Sequence, residues 1–313
     1  MGASALGAAG CSSPWLAGAG AAIDDNLTLL ISDLHISGLK DKQQYQIPRL
    51  KKVVDEVLKM PALPRRCLVF GDIAWSRGDG ADYRASRPLL QPLIDAGIEL
   101  TLGMGNHDHR QTFATVWPEC VARTKVKGAF VSVSSAPDCD FIMLDSLNET
   151  GVDEKSYNFV WGALPEQEQE WMRAELPKWP RPFFLCAHHP CTEVFQGKLS
   201  QLTVAGRPLV QMLADLPKFI GYIHGHDHRW TKRFIISNWK RRSVYQHLTL
   251  PSTGHWGDIG YALMRTAPGS AHVTLHQDDF YFPVDLPPEE RAPDWSAMVA
   301  ANQGANCRFV WRV

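Results

Sequence analysis

Five short apolar runs in this chain each end in residues that can hold a metal ion, and no other feature of the sequence restricts its fold so tightly. LTLLIS is followed by Asp33-Leu34-His35, CLVF by Gly71-Asp72, and IELTL by Gly103-Met104-Gly105-Asn106-His107-Asp108. FFLCA leads into His188-His189-Pro190, and FIGYI into His224-Gly225-His226-Asp227-His228. Short apolar runs bounded by turn residues read as buried strands. The polar groups all follow the carboxyl ends of those runs, where α/β folds open their ligand crevice. Along an extended chain residues i and i+2 point the same way, so Asp33 with His35, and His226 with His228, can aim together. Glycines beside Asp72, Asn106 and His226 allow close backbone approach at sharp turns.

Helical spacing fills the gaps between the runs. Residues 46–60 carry Ile47, Leu50, Val53, Val54, Val57 and Leu58 on one face, and 82–96, 165–176 and 207–215 also read as helices. Strand-like segments recur at 129–133, 141–144, 233–237, 244–250, 259–265 and 272–276. This mixture of β and βα units predicts an α/β (α+β) fold of two packed mixed sheets flanked by helices. The expected divisions are a leader over 1–22, a single catalytic domain over 23–284 and an irregular Pro-rich strap over 285–313.

The order D-x-H, GD, GNHD, H, GHxH resembles the signature of the calcineurin-like metallophosphoesterases, and the likeness spans residues 27–266. The resemblance implies their four-layer sandwich and a two-metal phosphoesterase site. Asp33, His35 and His228 would hold the first metal and Asn106, His188 and His226 the second, with Asp72 bridging. His188 rather than His189 is the expected ligand, because it stands two residues before Pro190. The metals would be two divalent ions, with Mn, Fe or Zn all compatible with mixed nitrogen and oxygen donors. A pair about 3.5–4 Å apart acidifies the water between them, which would attack phosphorus in line with the leaving oxygen. By the same resemblance His107 faces the substrate and assists the leaving group, and Asp108 orients the His107 ring.

The expected substrate is a small phosphate ester, more a phosphodiester than a monoester, with a lipid-linked or nucleotide-sugar ester as the alternative. A non-catalytic interaction module on the same fold is the third reading, and the complete donor set speaks against it. Weaker matches at 145–157, 161–176, Pro251 and Gly260-Tyr261 resemble bacterial cyclic-nucleotide-phosphodiesterase-like members. Where the related purple acid phosphatases carry a metal-binding Tyr, this chain has Trp75, which has no oxygen to offer iron(III). Trp75 reads instead as an aromatic lid or core residue.

Charge and cysteine content narrow the remaining choices. A formal net charge of -1 provides no global basic field, which disfavours nucleic acid as a partner. The acid-free basic run Arg229–Arg242 reads as a solvated hairpin tip, or else as a cationic rim. Beyond residue 30 no segment is long and apolar enough to span a bilayer. Residues 1–22 read either as an export signal lacking its charged start, which would place the protein in the periplasm or outside the cell, or as a leader without function on a cytoplasmic protein. The seven cysteines form no CxxC pair, and their odd number argues against a fully paired disulfide framework.

Overall fold

Leu29 and Ile31 pack into one core and Leu30 into another, and this period of two organises the molecule. The computed structural model describes residues 21–39, 45–149, 161–195, 198–213, 215–238, 243–281 and 305–311. In chain order the elements begin β1 (Ala22–Ile31), α1 (Gln46–Leu58), β2 (Ala62–Val69), α2 (Gly80–Asp95) and β3 (Glu99–Leu102). Next come α3 (Arg110–Val116), α4 (Pro118–Val121), β4 (Ser132–Ser135), β5 (Asp140–Met143), α5 (Glu166–Glu175) and β6 (Phe183–Ala187). Four short strands follow, β7 (Thr192–Phe195), β8 (Lys198–Gln201), β9 (Thr203–Val204) and β10 (Arg207–Pro208), then α6 (Leu209–Leu213) and β11 (Phe219–His224). The chain closes with β12 (Thr231–Asn238), β13 (Ser243–Thr249), β14 (Gly257–Ala267), β15 (Ser270–Tyr281) and β16 (Asn306–Val310).

Two six-stranded sheets result, ordered β16-β15-β14-β1-β2-β3 and β12-β13-β11-β6-β5-β4. Within the first, β1, β2 and β3 are parallel neighbours. Within the second, β5, β6, β11 and β13 are parallel. Leu30, Leu68, Phe70, Phe141, Phe184 and Phe309 meet in the apolar layer between the sheets. The opposite face of the first sheet packs Leu29, Cys67 and Val69 against Leu50, Val54 and Val57 of α1 and Leu90 and Leu93 of α2. On the far side, Phe183 and Leu185 pack against Met172 of α5 and Leu209 and Leu213 of α6. Each such fully buried side chain contributes about 1.5–3 kcal/mol relative to exposure. The expected four-layer arrangement is therefore present.

The C-terminal tail departs from expectation. Its described part is not an irregular strap, because Asn306–Val310 pairs antiparallel with β15 as the edge strand of the first sheet. Cys307 and Phe309 alternate inward while Asn306, Arg308 and Val310 stay exposed, and Phe309 meets Phe184 edge-on at 5.0 Å. Residues 1–20 of the expected 1–22 leader lie outside the described residues and Ala22 already opens β1, while 282–304, 150–160 and residues 239–242 of the basic run Arg229–Arg242 also lie outside them. No helix among the described residues is long and apolar enough to cross a membrane.

Candidate metal centre

The carboxyl ends of β1, β2, β3, β6 and β11 converge, and the turns that leave them are tight. Asp33, His35, Asp72, His226 and His228 all lie in the left-handed region, with φ of 54°, 46°, 49°, 69° and 52°. Among the described residues the remaining non-glycine there is Ala205. Such a conformation costs on the order of 1–3 kcal/mol per residue and persists where the surroundings dictate it, typically at functional sites. Backbone bonds hold these turns together: Asp33 N donates to Gly71 O (3.2 Å), His35 N to Asp72 O (2.8 Å) and Gly225 N to His188 O (3.1 Å). Gly105 and Gly225 leave room that a side chain would fill. A Cβ on Gly105 would stand 2.2 Å from Asp72 Oδ1, and one on Gly225 would stand 2.0 Å from Ser32 Oγ.

Two sets of donor atoms form at this point. Asp33, His35, Asp72 and His228 make one group with ligand atoms within 4.8 Å of one another. His228 Nε2 lies 3.1 Å from Asp33 Oδ1, and His35 Nε2 lies 3.4 Å from both Asp72 Oδ2 and His228 Nε2. The second set brings together His188 and His226, whose Nε2 and Nδ1 atoms are 3.1 Å apart. Asn106 Oδ1 lies 3.0 Å from the first of these nitrogens and 2.9 Å from the second. Asp72 Oδ2 reaches this set as well, 3.4 Å from His188 Nε2. All seven expected ligands are thus gathered, and Asp72 stands between the two sets.

The chemistry of these contacts shows that the residues suit cations. His35 Nδ1 faces the Trp75 carbonyl at 3.3 Å, His188 Nδ1 faces that of Phe70 at 2.8 Å, and His228 Nδ1 faces that of Trp256 at 2.9 Å. A carbonyl only accepts, so each Nδ1 must carry the proton and each Nε2 presents a lone pair to the centre. For His226 the order is reversed: Nε2 meets Glu193 Oε1 at 3.1 Å, and Nδ1 faces inward. With these rings neutral, the inward atoms at 3.4 Å and 3.1 Å are acceptor against acceptor, a repulsion that a cation between them relieves.

Burial drives His35 and His188 toward their neutral form, whereas His226, also largely buried, is raised by its hydrogen bond to Glu193 and by that carboxylate's charge. Burial holds His188 down to about 3 and His35 well below the ordinary range, the latter helped by neighbouring His255, His107 and His228. Asp72 is pushed well up by burial, then by the Asp33 and Asp108 carboxylates. Neutral rings at His35 and His188 beside the crowded Asp33 and Asp72 carboxylates make a place that divalent ions suit.

His107 and Asp108 occupy the same turn but divide the work differently from expectation. His107 N donates to Asp72 Oδ1 (2.8 Å), and its ring lies 4.8 Å from that of His35. The oxygen that holds its Nδ1 is the Ser76 carbonyl at 3.0 Å, not Asp108. Asp108 is buried and accepts from Ile73 N, Ala74 N, Gly105 N and the Tyr83 hydroxyl at 2.9–3.3 Å. Its carboxylate ties the Asp72 turn to the Asn106 turn, so it shapes the backbone under both donor sets. The resemblance implied that Asp108 orients the His107 ring, but at this bend the adjacent side chains take different partners.

Other histidines sort by their contacts. His189 Nδ1 lies 2.8 Å from Ser146 Oγ, and the ring joins His188 and His226 in the second group. His224 uses Nδ1 on Gly225 O and Nε2 on Thr249 Oγ1, inside the sheet. His109 caps α3 by accepting from Thr112 N. His255, half-buried, lies 4.3 Å from the His35 ring and 4.9 Å from Trp75, and Trp256 lies 4.3 Å from His228. These three rings wall the first donor set. Trp75 is half-buried beside His255, and its carbonyl faces His35 Nδ1. Glu193 was missed. Its signal was weak: Thr192–Phe195 and Lys198–Gln201 pair antiparallel just after His188-His189, and nothing in their spacing aims Glu193 at His226.

The sequence profile of the calcineurin-like phosphoesterases matches residues 27–230. A comparison with curated proteins finds no match. Among solved structures, a dimetal phosphatase from Danio rerio aligns with a TM-score of 0.58 at 15% identity, over 80% of this chain and 95% of that one. Vps29 from Entamoeba histolytica, complexed with Zn, aligns with a TM-score of 0.35 at 12% identity, over 80% and 92% of the two chains.

Proposed function

Because this chain belongs to the calcineurin-like phosphoesterases, we propose that it is a two-metal hydrolase whose substrate is a small phosphodiester. The observation that carries this reading is Asp72 Oδ2, equidistant at 3.4 Å from His35 Nε2 in one donor set and His188 Nε2 in the other. Asp33, His35 and His228 would hold the first ion, Asn106, His188 and His226 the second, and Asp72 both. When bound, two divalent ions supply an acidified water and charge stabilisation at the phosphoryl oxygens.

The protein's own groups position and protonate. His107 is anchored through Nδ1 on Ser76, which leaves Nε2 as the atom that carries a proton to the leaving oxygen. Burial holds this ring down to about 4, so its acid role requires negative charge beside it, and a bound phosphate ester brings that charge. The wall of Trp75, His255 and Trp256 supports the diester reading, since a diester carries a second substituent that needs a surface to lie on.

The test is direct. Protein reconstituted with Mn, Fe or Zn is assayed against bis-p-nitrophenyl phosphate and p-nitrophenyl phosphate, with bound metal counted in parallel. Two ions per chain and faster diester cleavage are expected. Faster monoester cleavage would replace the diester reading with a phosphatase one, and two bound ions without turnover on either ester would sink the hydrolase reading.

A further inference from the structure

His35, His188 and His228 are anchored through backbone carbonyls, which no substitution at the anchoring residue removes. His226 differs. Its outward nitrogen meets a side-chain carboxylate, Glu193 Oε1 at 3.1 Å, with both side chains largely buried. Its inward Nδ1 lies 2.9 Å from Asn106 Oδ1 and 3.1 Å from His188 Nε2.

The delivery of Glu193 is built into the chain. Pro190 and Cys191 follow directly on His188-His189, and Cys191 O accepts from Leu202 N at 3.1 Å, closing the base of the β7–β8 hairpin. Tyr222 OH donates to His189 O at 2.7 Å, tying the same segment to β11, the strand whose carboxyl end leads into His226. Glu193, paired across the hairpin with Ser200, is thereby aimed back at the second donor set.

We propose that Glu193 is the positioning residue of the second metal site: by accepting the Nε2 proton it fixes His226 in the tautomer that offers Nδ1 to the ion, and so sets the affinity of that site alone. The proposal rests on the two-metal reading above. A carboxylate in this place raises the basicity of the ligating nitrogen and fixes the ring's orientation, and losing such a partner costs about 10–100-fold in metal affinity.

The experiment titrates metal-free full-length protein, wild type, Glu193→Ala and Glu193→Gln, with Mn2+ by calorimetry, and records melting of each metal-free form. Wild type is expected to take up two ions per chain. In E193A the first ion should bind as in wild type while the second weakens by about 10–100-fold. E193Q, whose amide oxygen still accepts from Nε2, should recover most of that loss, and the metal-free melting temperatures should agree. E193A binding both ions as wild type does would overturn the proposal and leave the two-metal reading standing. So would an equal loss at both sites accompanied by a lower metal-free melting temperature, which marks a merely structural role. Wild type taking up a single ion would overturn both readings.

Discussion

Asp72 Oδ2 lies 3.4 Å from His188 Nε2, although the two residues leave strands in different sheets. Joining two ions across that gap, as proposed, would require the carboxylate charge. Asp72→Asn preserves shape, and Asn tolerates the left-handed conformation that residue 72 adopts at φ 49°. The variant should therefore fold normally, lose an ion and lose turnover by about 10³-fold or more. Wild-type turnover, measured beside metal content, would refute the bridging role.

His107 should matter in proportion to the leaving group's need for a proton. His107→Ala is expected to slow alkyl phosphodiesters by about 10²–10⁴-fold. Bis-p-nitrophenyl phosphate, whose leaving oxygen is already a weak base, should suffer far less. Equal losses on both would count against the acid role.

Asp108 predicts a stability effect. Its carboxylate serves three backbone amides and the Tyr83 hydroxyl in a buried place. Asp108→Ala strands those donors and should cost on the order of 3 kcal/mol, whereas Tyr83→Phe should cost about 1 kcal/mol. Denaturant melts of the metal-free proteins measure both. If the two substitutions prove equal and small, the bracing role is wrong.

Gly225 tests how closely the backbone presses on Asp33. The added methyl of Gly225→Ala would fall 2.0 Å from Ser32 Oγ and 2.8 Å from Asp33 Oδ2. Asp33 must move, so affinity for the first ion should drop at least tenfold, an order-of-magnitude expectation for a displaced ligand. Unchanged calorimetric titrations would show that the turn yields more easily than its packing implies.

Acid should destabilise the fold through a histidine outside both donor sets. His247 is buried against His224 and Tyr222, and burial, then Arg233, holds it down from 6.5 to about 4. Between those values the unfolded chain binds a proton that the folded chain refuses, so stability rises with pH across this window. Its contribution is fully present above pH 6.5 and is lost as pH falls toward 4, on the order of 3 kcal/mol in all. Unfolding of metal-free protein as a function of pH, wild type against His247→Phe, should show a shallower slope in the variant.

Much of this molecule was legible in the sequence because its determinants are local. Buried strands require unbroken apolar runs, so β6 was read residue for residue at Phe183–Ala187, and α1 followed from the spacing of Leu50, Val53, Val54 and Val57. Donor residues stand at the carboxyl ends of those runs, beside glycines, and the resemblance to the calcineurin-like metallophosphoesterases singled out seven of them as candidate ligands. What only the tertiary structure decided depends on which atoms meet across distant segments. Periodicity carries no information on which nitrogen of a histidine faces inward, because the Trp75, Phe70 and Trp256 carbonyls that decide it act from other turns. The same holds for Asp108, whose neighbour in the chain is His107 but whose partners in space are backbone amides. Glu193 reaches His226 only through a hairpin folded back on β11's far end. Composition and spacing set which groups can bind a cation. Long-range packing sets their orientation, because a side chain's partner at 3 Å is chosen by the whole fold and not by its own strand.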